Sequence, residues 1–168
     1  MRWVPAYVAL GSNLADPRGK IEQAFSRLER IRDTRLLMRS RLYASRPMGP
    51  QDQPEFVNAA AGLLTHLPAP ELLAELQSIE QGMGRVAPAV RWGARLIDLD
   101  LLMYGALSSK GPQLVLPHPG IHERNFVLYP LADIAPTLLV PGHASVAELA
   151  RQRGGDGLRV LAAAAITG

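Results

Sequence analysis

Two carboxylates, Asp98 and Asp100, stand two residues apart in the run Arg91-Trp92-Gly93-Ala94-Arg95-Leu96-Ile97-Asp98-Leu99-Asp100-Leu101-Leu102. The apolar positions read as a β-strand. Side chains alternate along a strand, so both acids point to one face, about 6.5 Å apart. At an effective dielectric of 20 such a pair repels by about 2.5 kcal/mol. A cation between the acids relieves that repulsion. Mg²⁺ suits the site, because it takes one or two carboxylates and completes its shell with water and phosphate oxygens. Arg85, Arg91, Arg95 and Arg124 flank or follow the acids, and guanidinium groups suit phosphate. Acids for metal beside arginines for phosphate point to phosphoryl transfer, which is mostly positioning and charge neutralisation. The competing reading is an edge strand that carries solvated acids.

Other polar residues are more ambiguous. Gln77 and Glu80 are three apart on a helical pattern and share a face. They either hydrogen-bond an adenine or ribose edge or form a polar helix shoulder. His118 sits between Pro117 and Pro119, a rigid setting that can aim an imidazole at phosphate or serve structure alone. Trp92 either caps a stacked ring or anchors its loop on the core. Phe56 and Phe126 read first as core residues. Gly11-Ser12-Asn13 reads equally as a tight turn or as part of a site. No G-x-x-x-x-G-K-[ST] motif is present, so no P-loop holds a nucleotide.

The elements that must position these residues follow from periodicity. Ala6 to Leu10 reads as a strand closed by Gly11-Ser12-Asn13. Pro17 opens a helix with Ile21, Phe25, Leu28 and Ile31 at helical spacing. Leu37 to Ser45 reads as a second strand, and Arg46 to Pro54 as a loop. Phe56 to Thr65 is a third strand with Phe56 and Asn58 on one face. Pro70 opens a second helix with Leu72, Leu73, Leu76, Ile79 and Met83 on its buried side, ended by Gly82 and Gly84. A loop follows from Arg85 to Ala94, then the strand with the acids. Pro117 to Gly120 reads as a turn, Phe126 to Leu131 as a short helix or turn, and Ser145 as the N-cap of a late helix to Gln152. Leu158 to Ala164 reads as a last strand. The order β-α-β-β-α-β is the ferredoxin-like unit, an α+β fold with a mainly antiparallel sheet and helices packed against it.

Composition bounds the rest. The chain has 168 residues, 48% of them hydrophobic, enough for one domain with a real core. Eighteen Lys and Arg against 15 Asp and Glu give a net charge of +3, too mild to imply nucleic acid. Cysteine is absent, which excludes disulfides and thiolate metal sites. The N-terminus lacks a signal-peptide layout, and the apolar stretch Leu158 to Ile166 is too short for a bilayer. A cytoplasmic protein with no membrane partner is expected.

Several segments in combination resemble one family, the 6-hydroxymethyl-7,8-dihydropterin pyrophosphokinases of folate biosynthesis. They are Ala6 to Leu14, Gly49 to Ala60, Leu76 to Glu80 with Gly84-Arg85, Arg91 to Asp100, Leu116 to Pro119 and Arg124 to Leu128. The tail after about Pro141 does not contribute. The resemblance implies a single pyrophosphokinase domain over 1–168, monomeric, acting on ATP and the hydroxymethyl-dihydropterin. Pyrophosphate moves from ATP to the pterin's hydroxymethyl oxygen, and AMP leaves. Asp98 and Asp100 look like the pair that holds two Mg²⁺ ions on ATP, with Arg85 and Arg95 beside them in the catalytic set. Gln77, Glu80, Arg85, Arg91, Trp92, Arg95, Ile97, Leu101, His118 and Arg124 fall at or beside ATP-lining positions. Of these, Ile97 and Leu101 would offer only apolar or backbone contacts. Asn58 looks like the amide that reads the pterin edge, and Phe56 and Phe126 like the rings that sandwich it. Ser45, Pro47, Met48, Trp92 and Asp98 complete the pterin set. The chain departs from the family pattern at Phe56, where some members have Tyr, at Ala87, where some carry arginine, and at Arg46, where a small residue or proline is common. A metal-dependent nucleotidyltransferase is the rival enzyme on a ferredoxin-like sheet. An RNA-binding module of that fold would want exposed aromatics and a stronger basic face.

Overall fold

The computed structural model describes residues 2–46, 53–84 and 96–162. Within them, β1 (Val4–Ser12), α1 (Pro17–Leu28), β2 (Thr34–Arg39), β3 (Tyr43–Ser45), β4 (Phe56–Thr65), α2 (Ala69–Gly82) and β5 (Asp98–Tyr104) build the β-α-β-β-α-β unit with its second strand split into β2 and β3. A two-strand ribbon, β6 (Ser109–Lys110) with β7 (Val115–Leu116), follows. Then come α3 (Asn125–Ile134), α4 (Val146–Arg153) and β8 (Leu158–Val160). The main sheet runs β5-β1-β4-β3-β8, with β2 also on β4, and its pairings are antiparallel.

Alternation divides the apolar residues between two cores. Ala6, Val8 and Leu10 of β1, Val57, Ala59, Ala61 and Leu63 of β4, and Leu99 and Leu101 of β5 join Ile21, Phe25, Leu28, Leu72 and Leu76 of α1 and α2. The opposite face carries Tyr7, Ala9, Ala60 and Met103, packed with Val127, Leu128, Leu131 and Ile134 of α3 and Leu149 of α4. A bulge keeps β5 in phase with β1. Val8 pairs with Leu101 but Tyr7 pairs with Met103, so one extra residue, Leu102, is absorbed and Met103 stays on the α3 face.

Three expectations about the elements are corrected. The single strand over Leu37 to Ser45 is two strands, β2 and β3, which lie end to end on the same edge of β4. Between them Ser40 takes over the ladder. Its N–H donates to the Ala60 carbonyl at 2.9 Å and its hydroxyl accepts the Ala60 N–H at 2.8 Å. A side chain thus replaces a backbone carbonyl, which periodicity does not register. The strand expected over Leu158 to Ala164 is assigned only from Leu158 to Val160, and residues 163–168 lie outside the described set. Strand β1 extends four residues beyond its expected bounds, because Val4, Pro5, Gly11 and Ser12 still pair with β4.

The starts expected at Pro17 and Ser145 hold, and α2 begins at Ala69, one residue before the expected Pro70. Asp16 caps α1 by accepting the Gly19 N–H at 3.3 Å, and Ser145 caps α4 by accepting the Glu148 N–H at 3.2 Å.

Candidate active site

Asp98, Gly11, Asn58 and Tyr43 form one cross-strand row over β5, β1, β4 and β3. In the next row Asp100 pairs with Ala9, and Ala9 with Ala60. Ala9 and Ala60 pack on the α3 side, so the two acids and Asn58 open on that face. Gly11 has no side chain, and a Cβ placed there would sit 3.6 Å from Asn58 Oδ1. The row therefore has an open floor between an acidic end and an amide end. Phe56 and Ser45 pair one row further on. Phe126 approaches from α3 and packs against the core of that face.

Asn58 is buried, and its Nδ2 donates to the hydroxyl of Ser45 at 2.7 Å. The bond fixes the amide plane with Oδ1 toward Gly11. Ser45 thus orients the group expected to read the pterin.

Asp98 and Asp100 are half-buried, while their neighbours Ile97, Leu99 and Leu101 are buried in the α1/α2 core. Ile97 and Leu101 accordingly turn their side chains away from the acids and present backbone alone. Helix α2 lies on that far face, but its Glu80 reaches the edge of β5. The buried Glu80 carboxylate accepts the Leu99 N–H at 2.7 Å. Gln77, one turn earlier, is exposed. The two share a helical face as expected but differ in burial, and Glu80 binds the strand that holds the acids.

His118 and Arg124 are organised by one glycine. The His118 backbone N–H donates to the Leu102 carbonyl at 2.9 Å, which docks the turn on β5. His118 Nδ1 accepts the Gly120 N–H at 3.2 Å, so the neutral ring carries its proton on Nε2. Burial holds the imidazole below the usual histidine range. The negative charge of Asp100 acts the other way, and the positive charge of Arg124 adds to the lowering. Arg124 crosses the same glycine: a Cβ on Gly120 would lie 2.6 Å from its Nε.

Sequence reasoning left Ser12 and Asn13 undecided, and both are buried junctions. The Ser12 hydroxyl donates to the Leu96 carbonyl, just ahead of β5. Asn13 Nδ2 donates to Gln53 Oε1 at 2.9 Å and to the Pro54 carbonyl at 3.0 Å, just ahead of β4. A polar pair at the end of an apolar strand was the available signal. Arg85, Arg91, Trp92, Arg95, Pro47 and Met48 lie outside the described residues.

Among the described residues no group of three or more His, Cys, Asp or Glu side chains is placed to hold a metal. Two carboxylates on one strand face fit a hard cation that draws its other ligands from water and phosphate. They do not fit a closed structural site.

Comparison with known proteins identifies the family. The model of the 7,8-dihydro-6-hydroxymethylpterin-pyrophosphokinase family matches residues 7–136. The 2-amino-4-hydroxy-6-hydroxymethyldihydropteridine pyrophosphokinase of Pseudomonas aeruginosa is 50% identical over 143 residues, 85% of this chain and 88% of that protein. The Haemophilus influenzae protein of the same name is 43% identical over 149 residues, 89% and 92% of the two chains. Among solved structures, wild-type Plasmodium falciparum HPPK-DHPS with pteroate superposes with a TM-score of 0.71 at 14% identity, which speaks to the fold. That match covers 90% of this chain and 42% of the Plasmodium one. With a family model across most of its length and relatives this similar over nearly their whole length, the chain belongs to the 7,8-dihydro-6-hydroxymethylpterin-pyrophosphokinase family.

Proposed function

We propose that Asp98 and Asp100 are the metal-binding pair of this pyrophosphokinase and that the groove between Asn58 and Phe126 takes the pterin. The chain transfers the pyrophosphoryl group of ATP to the hydroxymethyl group of 6-hydroxymethyl-7,8-dihydropterin, a step of folate biosynthesis. The hydroxymethyl oxygen forms a bond to the β-phosphorus. The bond from that phosphorus to the α,β-bridging oxygen breaks, AMP leaves, and the hydroxyl proton passes to solvent. The observation that carries the residue assignments is the row Asp98-Gly11-Asn58, which sets an acidic end and an amide end on one open strand face.

Two Mg²⁺ ions on the acids would supply charge neutralisation and Lewis acidity at the phosphates. The chain's own groups do the positioning. His118 Nε2–H and the Arg124 guanidinium are donors for the triphosphate. Asn58 reads the pterin edge, and Phe56 and Phe126 provide its stacking faces. Arg85, Arg91, Trp92 and Arg95 are assigned to ATP, and Pro47 and Met48 to the pterin, on the family pattern. Gln77 is assigned to ATP on the same basis. Glu80 acts through Leu99, as a group that holds the acidic strand.

The enzyme is read as a monomer on the family pattern, and β8 joins the tail to the same sheet, which supports one domain over 1–168. No described helix is long and apolar enough to cross a membrane. Both substrates are small cytoplasmic solutes, which supports a cytoplasmic setting.

The deciding assay incubates the protein with ATP, Mg²⁺ and the hydroxymethyl-dihydropterin and resolves the nucleotides. AMP should appear in equal amount with pterin pyrophosphate, and only with pterin present. ADP as the main product rejects the reading. Free pyrophosphate with a nucleotidylated acceptor selects the nucleotidyltransferase instead.

A further inference from the structure

The family match ends at residue 136 and assigns nothing to the chain beyond it. The segment after α4 nevertheless runs along the groove. Gly154 and Gly157 have φ of 79° and 76°, the left-handed region open to glycine. The turn they shape brings two carbonyls to one donor. Asn125 Nδ2 donates to Gly154 O at 3.1 Å and to Asp156 O at 2.9 Å. Asn125 is the first residue of α3, next to Phe126.

The same turn touches the sheet. The Asp156 carboxylate lies 3.6 Å from the Arg46 guanidinium, and a Cβ on Gly157 would lie 2.8 Å from that guanidinium. Strand β8 then pairs with β3, Leu158 opposite Ser45, and the Leu161 N–H donates to the Leu42 carbonyl at 2.8 Å. Helix and sheet border an open cleft of about 220 Å³ lined in part by Ser45, Arg46, Arg124, Phe126, Arg153 and Asp156. The Arg46–Asp156 pair is largely exposed and contributes little by itself. Backbone pairing holds the tail to β3, and the two Asn125 bonds hold it to α3.

We propose that Asn125 is a positioning residue for the pterin subsite. It ties the first turn of α3 to the 154–157 turn, and through β8 that turn sets Phe126 relative to Ser45 and Asn58 on the sheet. The other end of α3 is already fixed, because Asp133 accepts bonds from Arg41 and from the Tyr43 hydroxyl. Held at both ends, the helix keeps a constant slot width over β3 and β4. This inference rests on the reading of the groove as the pterin pocket.

The test compares three variants with the wild-type chain. Asn125→Asp keeps the shape, removes the donor and sets a carboxylate against two carbonyls. Asn125→Ser is a milder loss. Arg159→Ala breaks an exposed ion pair with Glu55 further along the tail and serves as control. Calorimetry measures hydroxymethyl-dihydropterin binding with a non-hydrolysable ATP analogue and Mg²⁺ present, and binding of the analogue alone. Asn125→Asp should raise the pterin Kd about tenfold, with a smaller rise for Asn125→Ser. The analogue's Kd should hold, kcat at saturating pterin should stay within about twofold, and the control should match wild type. An unchanged pterin Kd in both Asn125 variants overturns the proposal. Equal weakening of both ligands, or loss of folding in both variants, also overturns it and makes Asn125 a purely structural residue. If the wild-type protein binds the ATP analogue but no pterin, the pocket assignment itself falls, whatever the variants do.

Discussion

The carboxylate of Glu80 accepts the backbone N–H of Leu99, the residue between Asp98 and Asp100, at 2.7 Å. Among the described residues strand β5 is an edge of the sheet, so its outward N–H groups have no strand partner there. A buried carboxylate from α2 takes one of them. Glu80→Ala should therefore leave a buried N–H unsatisfied and destabilise the fold by about 1–3 kcal/mol. It should lower kcat as well, since the two acids lose their fixed spacing. Glu80→Gln retains an acceptor oxygen and should recover most of the stability. Urea denaturation and steady-state kinetics on both variants check this, and equal stability of the Ala variant and wild type would refute it.

Gly120 offers a sharper separation of fold from function. An added methyl at this position meets the Arg124 guanidinium at 2.6–3.0 Å, and that group is the movable end of a side chain. Gly120→Ala should shift Arg124 and leave the fold intact. The expected result is a KM for ATP raised about tenfold with a melting temperature within about 2 °C of wild type. A normal KM would show that Arg124 has no fixed place at the triphosphate.

Gly11 should control the pterin end in the same way. The space above it is bounded by Asn58 Oδ1, 3.6 Å from where an added methyl would sit, so Gly11→Ala fits with little loss. Gly11→Val fills the floor between Asp98 and Asn58 and should weaken pterin binding at least about tenfold, by overlap with the ligand. Asn58→Ala should weaken the pterin by about 1–3 kcal/mol through unpaired ligand groups. In both cases ATP-analogue binding measured by calorimetry should hold. Equal loss of both ligands would assign these residues to the fold.

Tyr43 gives a pH dependence. Burial pushes its hydroxyl up to about 12, and hydrogen bonding and charge from Asp133 add to the shift, while Arg41 opposes it. The folded chain therefore keeps this proton at a pH where the unfolded chain has lost it. Its contribution to stability is complete below about pH 10 and is lost as pH rises toward 12. Tyr43→Phe should flatten the fall in stability across that window. Denaturant melts at pH 8, 10 and 11.5 on both proteins would show parallel curves if the Tyr43–Asp133 contact were absent.

The sequence carried the frame of the site because strand alternation is a local property. Asp98 and Asp100 share a face, as do Phe56 and Asn58, and the order of elements placed them in one sheet. Partners set by long-range packing left no such trace. Glu80 reads as a polar shoulder until β5 is seen beside α2. Ser12 and Asn13 read equally as a turn or as part of a site, and they bond residues 84 and 40 positions away. The break between β2 and β3 depends on one serine hydroxyl that imitates a carbonyl at Ala60. The tail has no motif at all, and its place beside β3 follows from backbone pairing that any sequence of extended residues can make.

The Asp98-Gly11-Asn58 row has a consequence for how the reaction distance is kept. The acidic end and the amide end are two inter-strand steps apart, about 9.6 Å. That interval is ruled by the peptide ladder of β1, whose residue at the midpoint offers no side chain. Substitutions around the groove can change what binds at either end, but they do not alter the interval, because the backbone ladder sets it. Altering the separation between acceptor and donor would require a different strand order. Drift in substrate preference should therefore accumulate at the two ends of the row, with the gauge between them left as it is.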